Sequence, residues 1–117
     1  MSYLETGDSS DEEGGQGKPQ VGMVELTEDE KAAILELCAG LKASGNTFFG
    51  NHEYDGALKD YTEAVTQLKK ANLPRDVLIL LNRSATYLAL KRFVPALNDA
   101  NQGRETIRAF THRIFHL

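Results

Sequence analysis

Three polar residues stand where a helical chain could hold a carboxylate. Lys42 and Asn46 are four residues apart, so in a helix they share one face. A cation beside an amide donor can bind a carboxylate through a charge-assisted hydrogen bond. Asn82 interrupts the apolar run VLILLNRSATYL, although asparagine is a poor choice for a helix interior. The alternatives are a solvated lysine and two asparagines that cap or satisfy local backbone.

The composition is typical of one small globular domain. The chain has 117 residues, of which 41% are hydrophobic and 26% are charged. No apolar run approaches the roughly 20 residues of a membrane span, and the N-terminus has no features of a secretory signal. The single cysteine, Cys38, excludes an internal disulfide and favours a reducing compartment. We expect a cytoplasmic protein, with the nucleus as the alternative location.

Charge is distributed unevenly along the chain. Residues 1–26 carry six acidic groups against one lysine, residues 27–103 carry ten acidic and nine basic groups, and residues 104–117 carry one acidic group against three arginines. The clustered basic face of a nucleic-acid-binding protein is absent from this pattern. Because residues 1–26 are rich in Gly, Ser, Asp and Glu, they predict a disordered acidic leader.

The remaining chain predicts four helices and an all-α fold class. Thr27 and Glu30 form a capping-box pattern that predicts a helix over about 28–50. Further helices are predicted over about 53–71 and 75–90, and Pro95 begins a fourth that continues to about 103 or beyond. Strand-like alternation does not occur between the turn signals. The helices are therefore expected to pack as antiparallel helix-turn-helix pairs.

The pattern of large and small residues repeats after 39 positions. Gly45 falls on Ser84 and Ala57 on Ala96, which places small residues where two helices must approach closely. Large and polar positions match as well. These matches are Leu41 with Leu80, Phe48 with Tyr87, Leu58 with Leu97 and Asp60 with Asp99. A helical pair repeated at such a period predicts a solenoid.

The repeat resembles the tetratricopeptide repeat (TPR), a helix-turn-helix unit of about 34 residues. The resemblance implies a TPR domain over 27–103, with repeat 1 over about 38–71 and repeat 2 over about 77–110. The family pattern is lost after residue 103. Repeat 1 supplies Leu41, Gly45, Phe48, Ala57, Tyr61 and Ala64, and repeat 2 supplies Leu80, Ser84, Tyr87, Ala96, Ala100 and Gly103.

The stretches LKASGN and LNRSATYLAL resemble co-chaperones that use a two-carboxylate clamp. Such clamps bind the acidic C-terminus, ending Glu-Glu-Val-Asp, of seventy- or ninety-kilodalton heat-shock chaperones. The resemblance implies that Lys42, Asn46 and Asn82 hold the peptide carboxylate. The Lys and Arg that complete the clamp in a third repeat are absent, and His112 and His116 stand roughly at that spacing. The implied function is a protein-protein interaction adaptor.

An enzyme is not expected, because neither a phosphate-binding glycine loop nor a nucleophile–base pair is present. We expect no cofactor and no metal, since His112 and His116 lack a third ligand of suitable spacing.

Residues 104–117 form an atypical C-terminal tail. Its apolar residues recur at helical spacing and form the stripe Ile107, Phe110, Ile114 and Leu117. The favoured interpretation is that this stripe packs on repeat 2 as a capping helix, either extending the fourth helix or forming a fifth. The alternatives are an exposed patch for self-association or scaffold assembly, and a truncated isoform or fragment of a larger TPR protein without independent binding activity.

Overall fold

The computed structural model describes residues 25–115, which form four helices joined by short turns. The predicted acidic leader lies almost wholly outside the described residues. The helices are α1 (Glu28–Gly50), α2 (Tyr54–Lys70), α3 (Val77–Ala89) and α4 (Phe93–Phe115). Adjacent helices pack in pairs, and no strand occurs within 25–115. The predicted fold class, a short all-α solenoid of the TPR type, is confirmed.

Side-chain caps fix the starts of α1 and α3. Thr27 Oγ1 accepts a bond from the Glu30 amide at 3.1 Å, and the Glu30 carboxylate accepts one from the Thr27 amide at 2.8 Å. This is the predicted capping box. At α3, Asp76 Oδ1 accepts bonds from the amides of Leu78 and Ile79 at 2.9 and 3.2 Å. Both helices therefore begin with some of their free N–H groups bonded to a capping side chain.

The turns within the two helix pairs have the same backbone geometry 39 residues apart. His52 and Lys91 adopt left-handed conformations with φ of 62° and 61°. The next amides, those of Glu53 and Arg92, each donate at 2.8 Å to the carbonyl five residues earlier. These bonds close the helix ends as in the Schellman motif. The two pairs thus share backbone geometry as well as residue pattern.

The core lies between α1, α2 and α3. Its buried members are Cys38, Ala57, Tyr61, Ala64, Val65, Leu68, Ile79 and Leu80. Burial raises the pKa of the Cys38 thiol above its ordinary value. A Cβ added to Gly45 would stand 2.6 Å from Cε1 of the Tyr61 ring. Glycine is therefore required on α1 because this aromatic ring of α2 lies directly against the backbone.

A buried ion pair joins α3 to α4. Arg83 donates from Nε to Asp99 Oδ2 at 2.7 Å and from Nη2 to Asp99 Oδ1 at 2.8 Å. Asp99 is 2% exposed, so the bidentate guanidinium replaces the water that its carboxylate loses. These hydrogen bonds raise the pKa of the Arg83 guanidinium further above its ordinary value.

The C-terminal stripe does not pack as expected. Helix α4 continues unbroken past residue 103, while Ile107, Phe110 and Ile114 remain 50%, 60% and 44% exposed. Leu117 lies outside the described residues. The packing prediction was wrong because α3 has 13 residues and α4 has 23, so the last turns of α4 extend beyond their partner helix. Across residues 25–115, no helix is long and apolar enough to cross a membrane.

Candidate functional site

Helices α1 and α3 bring two of the three predicted site residues into direct contact. Asn82 donates from Nδ2 to Oδ1 of Asn46 at 3.0 Å. The hydroxyl of Tyr61, on α2, donates to the same oxygen. Burial raises the pKa of the Tyr61 hydroxyl, so at neutral pH it is protonated and able to donate. The three side chains form a polar triad, defined here as Asn46, Tyr61 and Asn82.

The polar triad leaves amide donors for a ligand. Both bonds to Asn46 end on its oxygen, and its Nδ2 bonds to no other residue within 25–115. Asn82 Nδ2 carries a second hydrogen beyond the one donated to Asn46. The alternative of backbone capping does not describe these side chains, because within residues 25–115 the hydrogen bonds of their amides join side chains. A ligand group with two acceptor oxygens can therefore accept hydrogen bonds from both amides.

The polar triad lines an open pocket of about 240 Å³. The remaining lining residues are Phe49, Gly50 and Ala85. One wall therefore offers amide donors, while the other offers the Phe49 ring and the Ala85 methyl. A pocket of mixed character binds a polar end group beside an apolar side chain.

Lys42 lies one turn before Asn46 but does not line this pocket. Its Nζ stands 3.3 Å from Oδ2 of Asp76, the residue that caps α3. The two side chains are 29% and 35% exposed, so water reaches the pair. Lys42 is thus an ion-pair partner that joins α1 to the start of α3, rather than a solvated lysine. An ammonium has three donors, so Asp76 does not saturate it.

Sequence reasoning missed two participants, Tyr61 and Asp76. Tyr61 occupied a core position of the repeat pattern, and its hydroxyl was the overlooked signal, because a buried phenol needs a hydrogen-bond partner. Asp76 follows Pro74 and precedes an apolar run, which is the signature of a helix N-cap. Its position beside Lys42 depends on packing between helices and has no local signal.

Of His112 and His116, the structure describes only the first. His112 lies on α4, which is the second helix of its pair, whereas the clamp cation it was compared with belongs to the first helix of a further repeat. His116 lies outside the described residues. Residues 25–115 contain no cluster of three or more metal-binding side chains.

Comparisons with known proteins return three relatives. The chain is 43% identical to heat shock protein STI1 of Saccharomyces cerevisiae over 61 residues, 52% of this chain. It is 39% identical to the DnaJ homolog subfamily C member 7 homolog of Schizosaccharomyces pombe over 67 residues, 57% of this chain. It is 32% identical to serine/threonine-protein phosphatase T of Aspergillus oryzae over 77 residues, 66% of this chain.

The similarity covers a small part of each relative. The matched regions are 10%, 13% and 15% of STI1, the DnaJ homolog and the phosphatase. STI1 and the DnaJ homolog are TPR-containing proteins, in agreement with the helical repeat described above. No family model and no solved structure matches the chain.

Proposed function

We propose that this chain is a co-chaperone-like TPR adaptor that binds the acidic C-terminal peptide of a seventy- or ninety-kilodalton heat-shock chaperone. The observation that supports it is the Asn82–Asn46 contact of 3.0 Å, which places amide donors from two helices beside one pocket. In this proposal Asn46 and Asn82 hold the terminal carboxylate, and Lys42 adds a positive charge one helical turn away.

The donors of the site suit a carboxylate better than a neutral group. A hydrogen bond to a charged partner contributes about 1.5–3 kcal/mol, against about 1 kcal/mol for a neutral pair. The Tyr61 bond orients the Asn46 amide before the ligand arrives, so less side-chain entropy is lost on binding. The neighbouring wall of Phe49 and Ala85 receives an apolar side chain of the peptide.

Lys42 can join the site without loss of the fold. Exposed ion pairs contribute about 0–1 kcal/mol, and the Lys42–Asp76 pair is about one-third exposed. The ammonium can therefore share its donors between Asp76 and a peptide carboxylate at little cost. Asp76 retains its bonds to the first amides of α3 in either arrangement.

The relatives agree with a chaperone-associated role. One is named a heat shock protein and one a DnaJ homolog. The third is named a phosphatase, but the matched region is 15% of that protein, so the proposal concerns a binding module and no catalytic step. The all-helical fold agrees with this assignment.

The test is binding of a labelled peptide ending Glu-Glu-Val-Asp, measured by fluorescence anisotropy, with the C-terminally amidated peptide as comparison. We expect the free acid to bind and the amidated peptide to bind at least about tenfold more weakly, because it loses charge-assisted bonds. Asn46→Ala and Asn82→Ala should each weaken free-acid binding by a similar factor. Asn98→Ala changes an exposed asparagine of α4 and should leave binding unchanged.

Two outcomes would overturn the proposal. Equal affinity for the free acid and the amide would show that the site does not recognise a terminal carboxylate. Full affinity in both asparagine variants, with far-UV circular dichroism confirming their fold, would place the peptide elsewhere on the chain.

A further inference from the structure

The joint between the two helix pairs defines two complementary surfaces. Lys42 and Asn46 of α1 meet Asp76, the cap of α3, and Asn82, in the middle of α3, through contacts of 3.3 and 3.0 Å. The receiving surface is the side of α1 and α2 on which α3 packs. The inserting surface is the side of α3, with its cap Asp76, that packs there.

The receiving surface recurs 39 residues later on α3 and α4, where no described helix covers it. Leu81 and Ala85 stand in place of the lysine and the asparagine. Leu81 is 42% exposed. Ile107 is the counterpart of Leu68, and it is 50% exposed whereas Leu68 is 3% exposed. This second receiving surface is therefore apolar and open.

The inserting surface recurs 39 residues earlier on α1, and it is also open. Leu37 stands in place of Asp76, and Ala43 stands in place of Asn82. Leu37 is 49% exposed, and a Cβ added at Gly40 would meet no atom within 4 Å. Small residues beside an exposed leucine allow another helix to approach closely. The residues that make the two polar contacts of the internal joint are thus replaced by apolar residues on the second receiving surface and on the second inserting surface.

We propose that copies of this chain associate head to tail, with α1 of one copy packed on the α3–α4 receiving surface of the next. The contact repeats the geometry by which α3 packs on α1 and α2. It brings Leu37 of one copy against Leu81 of the other, as Asp76 meets Lys42 within the chain. The occupant is therefore a second copy of this chain.

Charge supports this pairing where both helices extend beyond the repeat. Cys38 on α1 is the counterpart of Val77 at the start of α3, and α1 begins ten residues before it. Ala109 on α4 is the counterpart of Lys70 at the end of α2, and α4 continues six residues beyond it. Within the chain, the end of α2 lies beside the start of α3. In the assembly α4 of one copy replaces α2 and α1 of the next copy replaces α3, so the two extensions lie side by side. The α1 extension carries Glu28, Asp29, Glu30 and Glu36 against Lys31, and is therefore acidic. The α4 extension carries Arg113, and the turns just before it carry Arg104 and Arg108 against Glu105, so this end of α4 is basic.

The same charges disfavour a symmetric dimer made by two α4 helices. Such a dimer would place the arginines of each α4 beside those of the other, and like charges across an interface oppose association. Head-to-tail contact instead opposes acidic and basic extensions. Because this interface is heterologous, each bound copy presents a free surface of each kind, and assembly continues beyond the dimer.

The test is sedimentation velocity of the full chain over a range of concentrations, with two single variants and their mixture. Leu37→Asp disrupts the inserting surface, and Leu81→Asp disrupts the receiving surface. Each variant alone should associate at least about tenfold more weakly than the unmodified chain. Mixed together they should form a one-to-one heterodimer and stop there, because each supplies the surface that the other lacks. Val94→Asp, at a 71% exposed residue outside both surfaces, should associate like the unmodified chain.

Three outcomes would overturn the proposal. An unmodified chain that sediments as a monomer at all concentrations up to several hundred micromolar would exclude the association. A Leu37→Asp variant that still dimerises alone would indicate a symmetric interface through α4. Two folded variants that fail to associate when mixed would exclude head-to-tail complementarity. Should either aspartate variant fail to fold, Arg108→Glu with Arg113→Glu, at exposed positions of α4, tests the same interface and should also weaken association.

Discussion

The two helix pairs share a backbone but use different side chains to hold their helices together. In the first pair, Ser44 donates to Asp60 at 2.5 Å in an exposed position. In the second, the residues 39 positions later are Arg83 and Asp99, and they form a bidentate ion pair with Asp99 almost fully buried. The same pair of repeat positions therefore makes a minor surface bond in one copy and a buried electrostatic contact in the other.

The close approach of the helices is also achieved differently. In the first pair, Gly45 makes room for the ring of Tyr61. In the second pair, the counterparts of Gly45 and Tyr61 are Ser84 and Ala100. Because alanine is smaller than tyrosine, there is room for the Ser84 hydroxyl, which donates to the Ala96 carbonyl at 2.7 Å. The small partner lies on the first helix in one copy and on the second helix in the other.

This exchange explains why the polar triad occurs once. It needs an asparagine on α1 and a tyrosine hydroxyl on α2, and the corresponding residues of the second pair are Ala85 and Ala100. The first pair keeps a polar groove at its joint with α3. The second pair is held by its ion pair and presents an apolar surface instead.

The largest expected difference between the pairs is at the two aspartates. Asp99→Ala should lower the free energy of unfolding by about 2–5 kcal/mol, because it leaves a mostly buried guanidinium without its partner. Asp60→Ala removes an exposed bond to Ser44 and should cost about 1 kcal/mol or less. Chemical denaturation monitored by circular dichroism measures both. Equal losses would contradict the distinction between the buried and exposed contacts.

A smaller difference is expected at the glycine–serine position. Gly45→Ala should destabilise the protein by about 1–3 kcal/mol, since the new methyl overpacks against the Tyr61 ring. Ser84→Ala loses one hydrogen bond and should cost about 1 kcal/mol. In a Tyr61→Leu background the penalty of Gly45→Ala should shrink, because the ring atoms that the methyl meets are gone. An undiminished penalty would show that its cause lies elsewhere than in that contact.

Local signals in the sequence predicted the helices and their order, but contacts between helices were less accessible. The capping box at Thr27 was predicted and found, because both partners lie three residues apart. Tyr61 and Asp76 were missed as neighbours of Asn46 and Lys42, because those contacts depend on how α2 and α3 approach α1. The open stripe on α4 was mispredicted because a helical wheel shows which residues share a face, but not whether a partner helix reaches them.

The smallest expected effect compares the left-handed residues of the turns within the two helix pairs, Lys91 and His52. Lys91 has a φ of 61° and an exposed side chain, so Lys91→Gly should raise the free energy of unfolding by about 0.5–1 kcal/mol through relief of Cβ strain, partly offset by chain entropy. His52 has the same conformation, but its Nδ1 lies 2.9 Å from the Tyr54 hydroxyl, and its ring contacts the Tyr54 ring. His52→Gly loses that contact and should therefore gain less than Lys91→Gly. Thermal unfolding of the two variants decides the order: equal gains would mean that the His52–Tyr54 contact adds no stability, and a loss at Lys91 would contradict the strain assigned to the turn.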